Sequence, residues 1–215
     1  MVKAVVMAAG QSLYDEDVIE KIKLYCLSEV EDIIILSTDR TLKYVLESGI
    51  IPDYACVNEN IITLTNHDLL PDFFFHGIVK SYASKITLYH NSLLTPERVK
   101  IFVDMGFKMA LFNRLGCGTH KGITLNTGGN CGMALVQIAR HILNIDKIGV
   151  IGLDLDLSTS NKGRTVTHVD AELWHTKTQI VNNFFEMGQP VYNLTRMGRL
   201  HGTGIIETNI DDFLK

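Results

Sequence analysis

The chain has 215 residues, of which 46% are hydrophobic and 20% are charged, and its formal net charge is -4. A chain of this length buries roughly 70% of its unfolded surface, so we expect residues 1–215 to form a single domain. The acidic balance argues against a nucleic-acid partner, because proteins that bind phosphate backbones carry a basic excess.

The chain also lacks the sequence signals of a membrane or secreted protein. No run reaches the roughly 18 apolar residues of a membrane span, and the apolar N-terminus is too short for a signal peptide. The four cysteines form no C-x-x-C pair, which is typical of reduced thiols. We therefore expect a cytoplasmic protein with no membrane span.

Short apolar runs alternate with helical patterns, which predicts a mostly parallel sheet with crossover helices. The predicted strands are residues 2–7, 32–36, 53–57, 73–75, 86–89, 108–112, 147–152 and 191–194. The predicted helices are residues 15–26, a helix between Asp39 and Gly49, residues 96–105, a helix after Asn130 and residues 171–187. Residues 115–124 and 158–167 are predicted loops. The expected fold is an α/β, Rossmann-like three-layer sandwich with a mostly parallel central sheet.

Two glycine-containing turns each precede a predicted helix. One is Gly10-Gln11-Ser12-Leu13 after the first strand, and the other is Thr127-Gly128-Gly129-Asn130. Free backbone N–H groups at helix N-termini bind anions such as phosphates, although such turns also serve tight packing alone. The predicted nucleotide-binding residues of these turns are Gly10, Ser12, Thr127, Gly128, Gly129 and Asn130.

Three aspartates follow predicted strands. Asp39 either caps the next helix or accepts a hydrogen bond from a ribose hydroxyl. Asp154 and Asp156 follow the strand KIGVIG, and strand alternation places their side chains on one side. Such a pair either binds Mg²⁺ or a hydroxyl group, or is a solvated pair of loop carboxylates. We count Asp39 and Asp154 among the predicted nucleotide-binding residues.

Two histidines are candidates for a general base. His168 lies at the end of the polar loop, and His175 lies within the helix predicted at residues 171–187. An imidazole with a pKa near neutrality suits proton removal from a hydroxyl group. Both stay open as the predicted catalytic residue, although the polar surroundings of His175 also fit a solvated helix face.

Several segments together resemble the motility-associated-factor family. The matching segments are Ser37-Thr38-Asp39-Arg40, residues 46–54 (LESGIIPDY), 126–130 (NTGGN), 151–155 (IGLDL), 191–194 (VYNL) and 198–202 (GRLHG). The resemblance implies a fold that two related groups share: bacterial enzymes linked to transfer of nonulosonic sugars onto flagellin, and archaeal 6-hydroxymethylpterin diphosphokinases. The resemblance implies a Rossmann-like domain that binds a nucleotide-linked donor at the first turn, at the tip of the second strand and at residues 127–130.

The two groups differ in what they require of the segment after the third strand. The diphosphokinases have an acidic D-x-D-G segment there that binds Mg²⁺, whereas this chain has Val57-Asn58-Glu59-Asn60. We therefore expect glycosyl transfer from a nucleotide-sugar to a small-molecule or protein hydroxyl, with no required cofactor. The alternatives are diphosphoryl transfer from ATP, with Mg²⁺ on Asp154 and Asp156, and a non-catalytic nucleotide-binding module. The oligomeric state stays open.

Overall fold

The computed structural model describes residues 2–28, 33–57, 76–115, 122–127, 130–154, 190–195 and 200–215. Within these ranges, nine strands form one parallel sheet: β1 (Lys3–Met7), β2 (Ile33–Thr38), β3 (Tyr54–Val57), β4 (Thr87–Asn91), β5 (Lys108–Arg114), β6 (Thr124–Leu125), β7 (Lys147–Ile151), β8 (Val191–Asn193) and β9 (Ile205–Glu207). The helices are α1 (Glu16–Leu27), α2 (Leu42–Glu47), α3 (Gly77–Tyr82), α4 (Pro96–Asp104), α5 (Cys131–His141) and α6 (Ile210–Leu214). None of the described helices has the length and apolar character needed to cross a membrane.

The order of the strands reverses once, next to β1. The sheet runs β6-β5-β4-β3-β2-β1-β7-β8-β9, so the chain builds outward from β1 and then returns to the other side of β1 with β7. In register, Met7 of β1 pairs with Ser37 of β2 on one side and with Ile151 of β7 on the other. Open α/β sheets bind ligands outside the carboxyl ends of the strands at such a reversal point.

Helices cover both faces of the sheet, as expected for a three-layer sandwich. Val5 and Met7 of β1 pack on one face with α1, where Ile22 is fully buried. Ala4 and Val6 pack on the opposite face with α5. Because β1 is buried on both faces, its sequence is continuously apolar rather than alternating. The predicted α/β fold is therefore confirmed.

Several boundaries differ from those predicted from the sequence. Strand β2 runs on to Thr38, and the two-residue strand β6 begins at Thr124, the last residue of the predicted loop at residues 115–124. Strands β6 and β9 and helices α3 and α6 were not predicted, because each has at most six residues, too few to show a clear periodic pattern. The predicted strand at 73–75, loop at 158–167 and helix at 171–187 lie outside the described residues.

Candidate functional site

The turn after β1 is hydrogen-bonded to the end of β7. Gly10 N–H donates to the Gly152 carbonyl at 2.6 Å, and Ala8 N–H donates to the Ile151 carbonyl at 2.8 Å. The chain then forms a 3₁₀ turn, Gln11–Tyr14, in which Leu13 N–H donates to the Gly10 carbonyl at 3.1 Å. The first predicted turn is therefore held directly at the point where the strand order reverses.

Ser12 and Asp154 form a buried pair within this turn. Ser12 N–H donates to Asp154 Oδ2 at 2.8 Å, and the Ser12 hydroxyl donates to Asp154 Oδ1. The same hydroxyl oxygen accepts the Gly152 N–H at 2.9 Å. Ser12 is 1% exposed and Asp154 is 4% exposed, so their polar atoms are satisfied inside the protein. The structure thus brings these two predicted site residues together and makes each the partner of the other.

Glycine is needed where the two strand ends approach each other. A Cβ atom at position 10 would lie 2.5 Å from both Asp154 Oδ2 and the Gly152 carbonyl oxygen. Gly152 has a φ of +72°, and a Cβ atom there would lie 2.0 Å from the Ala8 carbonyl oxygen. Both positions therefore exclude any side chain, because no flexible group can move aside.

The expectation of free backbone N–H groups in this turn needs correction. The N–H groups of Ala8, Gly10, Ser12 and Leu13 all donate to groups of the protein, as the close contact between β1 and β7 requires. Within the described ranges, only the N–H groups of Ala9 and Gln11 in this turn make no hydrogen bond. Ala9 is exposed and Gln11 is half-buried, so these two N–H groups are the donors that an incoming anion would meet.

The second predicted turn lies beside the first. Asn130 caps α5, because its side-chain oxygen accepts the Met133 N–H at 3.2 Å, and its own N–H donates to the carbonyl of the buried Thr127 at 2.9 Å. A Cβ atom on Gly132 would lie 2.9 Å from Leu153 Cδ1 and 3.1 Å from Ala8 Cβ. The N-terminal end of α5 therefore packs against the ends of β1 and β7.

Asp39 lies next to Cys131, the first residue of α5. The Cys131 thiol donates to the Cys56 carbonyl at 2.9 Å. The pKa of Cys131 is raised by its contact with the Cys56 side chain, by burial and by the nearby Asp39 carboxylate. The two cysteines carried no signal in the sequence, because they are separated by 75 positions and match no motif.

The alternative role of Asp39 as a helix cap is wrong. Its Oδ1 accepts the N–H of the next residue, Arg40, at 2.8 Å, and α2 begins only after Thr41. The 3₁₀ turn Asp39–Thr41 intervenes, and in it the Thr41 hydroxyl donates to the Met7 carbonyl at 3.1 Å. The predicted contact of Asp39 with a ribose stays a prediction.

The other predicted residues fall into two groups. Gly128, Gly129, Asp156, His168 and His175 lie outside the described residues. Asp154 accepts one hydrogen bond from Ser12 on each of its two oxygens, and each carboxylate oxygen has a second lone pair. The predicted binding of Mg²⁺ by Asp154 and Asp156 stays a prediction.

The fold and the site define an α/β protein with a candidate ligand site where its strand order reverses. A family model described as "6-hydroxymethylpterin diphosphokinase MptE-like" matches residues 1–160. The chain therefore belongs to the MptE-like family, and the resemblance seen in its sequence is confirmed. The matched region contains β1 to β7 and all of the site residues that the structure describes, but not His168 or His175.

A comparison with solved structures supports the fold. The MAf glycosyltransferase from Magnetospirillum magneticum AMB-1 matches with a TM-score of 0.63 and 15% sequence identity. The match covers 95% of this chain and 33% of that chain, so this protein spans about a third of the length of its structural neighbour. At this identity the likeness concerns the fold alone. A search of curated proteins found no sequence match.

Proposed function

We propose that this protein is a transferase that binds a nucleotide-activated donor at the carboxyl ends of β1 and β7. The observation that carries the proposal is the convergence of the Gly10 turn, Asp39 and the N-terminus of α5 at the reversal of strand order. The family description names a diphosphokinase, and the structural neighbour is named a glycosyltransferase. Both names are those of transferases, which supports this reaction class.

In the proposed complex, the donor phosphate binds the N–H groups of Ala9 and Gln11 and the N-terminus of α5. Helix N-termini favour such anions through their unpaired N–H groups and their dipole. Thr127 and Asn130 flank this position, and Asp39 accepts a hydrogen bond from a ribose hydroxyl. An acceptor hydroxyl then attacks the activated group, and the leaving phosphate is stabilised by the N–H groups. His168 and His175 remain the candidates from the sequence for the base that removes the hydroxyl proton.

We propose glycosyl transfer as the specific reaction. The segment after β3, Val57-Asn58-Glu59-Asn60, supports this choice, because it lacks the aspartates with which the diphosphokinases bind the Mg²⁺ that a triphosphate requires. Diphosphoryl transfer from ATP is the second candidate, and the family description over residues 1–160 favours it. The two reactions differ in how strongly donor binding depends on Mg²⁺.

A thermal-shift screen with CMP, CDP, UDP, GDP, ADP and ATP, with and without Mg²⁺, tests this proposal. At a hundredfold excess over its dissociation constant, a bound nucleotide should stabilise the fold by about 2.7 kcal/mol. We expect at least one nucleotide to do so and its affinity to change little when EDTA removes Mg²⁺.

Two other outcomes of the screen would change the conclusion. The absence of any stabilisation at millimolar concentrations of all six nucleotides would contradict a nucleotide site. An affinity for ATP that rises more than about tenfold with Mg²⁺, equivalent to about 1.4 kcal/mol, would instead favour diphosphoryl transfer. A metal ion that bridges the phosphates accounts for such a rise.

A further inference from the structure

A buried threonine lies between the two parts of the proposed donor site. Thr41 is fully buried and immediately precedes α2, but within the part of the chain that the structure describes its side chain makes no capping hydrogen bond. Its hydroxyl instead donates to the Met7 carbonyl oxygen, 3.1 Å away at the end of β1. A threonine directly before a helix commonly caps that helix. The contact of Thr41 with β1 therefore calls for a different explanation.

Two further hydroxyl groups bind the oxygen of the Thr41 side chain. Thr41 Oγ1 lies 2.9 Å from Ser37 Oγ and 3.0 Å from Thr38 Oγ1, and both of these side chains are buried. The carbonyl oxygens of Met7 and Thr38 each lie 3.1 Å from the same atom. A hydroxyl has one proton and two lone pairs, so Thr41 can accept from both neighbours while it donates. A satisfied buried network of this kind fixes a single arrangement of its groups.

The bond between Thr41 and Met7 joins the two segments that bind the donor in the proposed complex. Met7 is the last residue of β1, and the turn with the N–H groups of Ala9 and Gln11 follows it directly. Asp39 lies in the same 3₁₀ turn as Thr41, two residues earlier, at the end of the adjacent strand β2. The Thr41 hydroxyl therefore sets the separation between the proposed phosphate contact and the proposed ribose contact.

We propose that Thr41 is a positioning residue that holds Asp39 at the separation from the phosphate that a ribose requires, so that the protein selects nucleotides with ribose hydroxyls. The inference rests on the proposed transferase function. The 2′ and 3′ hydroxyls of a ribose are neighbouring donors, and a carboxylate is an acceptor that suits them. A carboxylate that is already held in place accepts these hydrogen bonds without a further cost of ordering. Without the Thr41 hydroxyl, that advantage is lost.

A set of substitutions separates positioning from a purely structural effect. Thr41→Val keeps the shape of the side chain and removes its hydroxyl, whereas Thr41→Ser keeps the hydroxyl. Asp39→Ala removes the proposed ribose contact itself. The matched control is Ser48→Ala, because the Ser48 hydroxyl also donates to a carbonyl, that of Tyr44 at 2.9 Å, but at the opposite end of α2.

Calorimetric titration compares CMP, CDP, UDP, GDP, ADP and ATP with the 2′,3′-dideoxy counterpart of each nucleotide that binds. We expect the wild type to bind the ribonucleotide about tenfold or more tightly than its counterpart, because the counterpart lacks the hydrogen bond to a charged acceptor. Thr41→Val and Asp39→Ala should each lose most of this preference, and Thr41→Ser and Ser48→Ala should retain it. Added to Asp39→Ala, Thr41→Val should not change the preference further, because the two residues act through one contact.

The other outcomes separate this inference from the proposed function. A folded Thr41→Val protein with an unchanged preference, or with equal losses of affinity for both nucleotides, would overturn the role of Thr41. Thr41→Ala serves for the same comparison if circular dichroism shows that Thr41→Val does not fold. Equal affinity of the wild type for the two nucleotides would also overturn the inference but would preserve the nucleotide site. If none of the six nucleotides binds, the proposed function fails, and the role of Thr41 fails with it.

Discussion

The turn after β1 depends on contacts between individual atoms of Gly10, Ser12 and Asp154. The carboxylate of Asp154 is buried, and a buried charge is tolerated only when hydrogen bonds satisfy it. Ser12 provides two of these bonds, and the missing side chain of Gly10 leaves the space that the carboxylate occupies. Gly10, which the sequence marked as a phosphate-binding residue, therefore has a packing role that does not depend on any ligand.

Substitution of Gly10 tests this packing role. In Gly10→Ala, the new Cβ atom would lie 2.5 Å from Asp154 Oδ2, so the turn must shift. We expect the free energy of unfolding in urea to fall by about 1–3 kcal/mol. The control is Gly77→Ala at the start of α3, where a Cβ atom meets nothing within 4 Å and stability should be unchanged or slightly higher. Equal stability of the two variants would show that the contact with Asp154 is not restrictive.

Among the secondary-structure elements, α5 links the core to the candidate site. Every residue from 132 to 139 is buried, so the position of the helix is fixed by packing. Its first turn lies against the ends of β1 and β7 and next to Asp39. A helix held this firmly presents its N-terminal N–H groups to a ligand without a further cost of ordering.

The cap of α5 should therefore matter for both stability and binding. Asn130→Ala removes the acceptor of the Met133 N–H and should cost about 1 kcal/mol in the free energy of unfolding. Asn209→Ala is a matched control, because Asn209 caps α6 in the same way, with its side-chain oxygen 2.8 Å from the Asp212 nitrogen. We expect calorimetric titration to show weaker nucleotide binding for Asn130→Ala alone. Similar losses of affinity in both variants would place the ligand elsewhere.

At the scale of the whole molecule, the sheet extends beyond the region that the family model matches. Strands β8 and β9 and helix α6 all follow residue 160. Val191 and Ile205 complete the core beneath α5, and Ile210 and Phe213 complete the core on the opposite face. The segment therefore contributes to the core on both faces of the sheet, and the single domain of residues 1–215 stays a prediction.

Truncation tests that expectation. A chain that ends at residue 189 loses β8, β9 and α6, leaves one edge of β7 without its partner and removes apolar contacts from both faces. We expect it to lose the single cooperative unfolding transition seen by circular dichroism on heating. Removal of Lys215 alone, an exposed residue, should leave the transition unchanged. A cooperative transition in the shorter chain would instead define a smaller domain.

The local pattern of the sequence was sufficient for the central elements. Strands β1, β2 and β7 are continuous apolar runs, and α5 has a clear helical stripe, so short-range periodicity predicts them. Their alternation predicts a parallel sheet, and a parallel sheet brings the carboxyl ends of its strands to one edge. The approximate place of the site follows from these local features.

The contacts within the site depend on the tertiary structure instead. Ser12 and Asp154 are 142 positions apart and meet only because the strand order reverses and places β7 beside β1. Because β7 lies beside β1, the N–H groups of Ala8, Gly10 and Ser12 donate to groups at the end of β7. The sequence alone predicted that such N–H groups would be free to bind a phosphate. Periodicity reflects interactions between near neighbours in the chain, whereas register and hydrogen-bond partners are set by packing between segments that are distant in sequence.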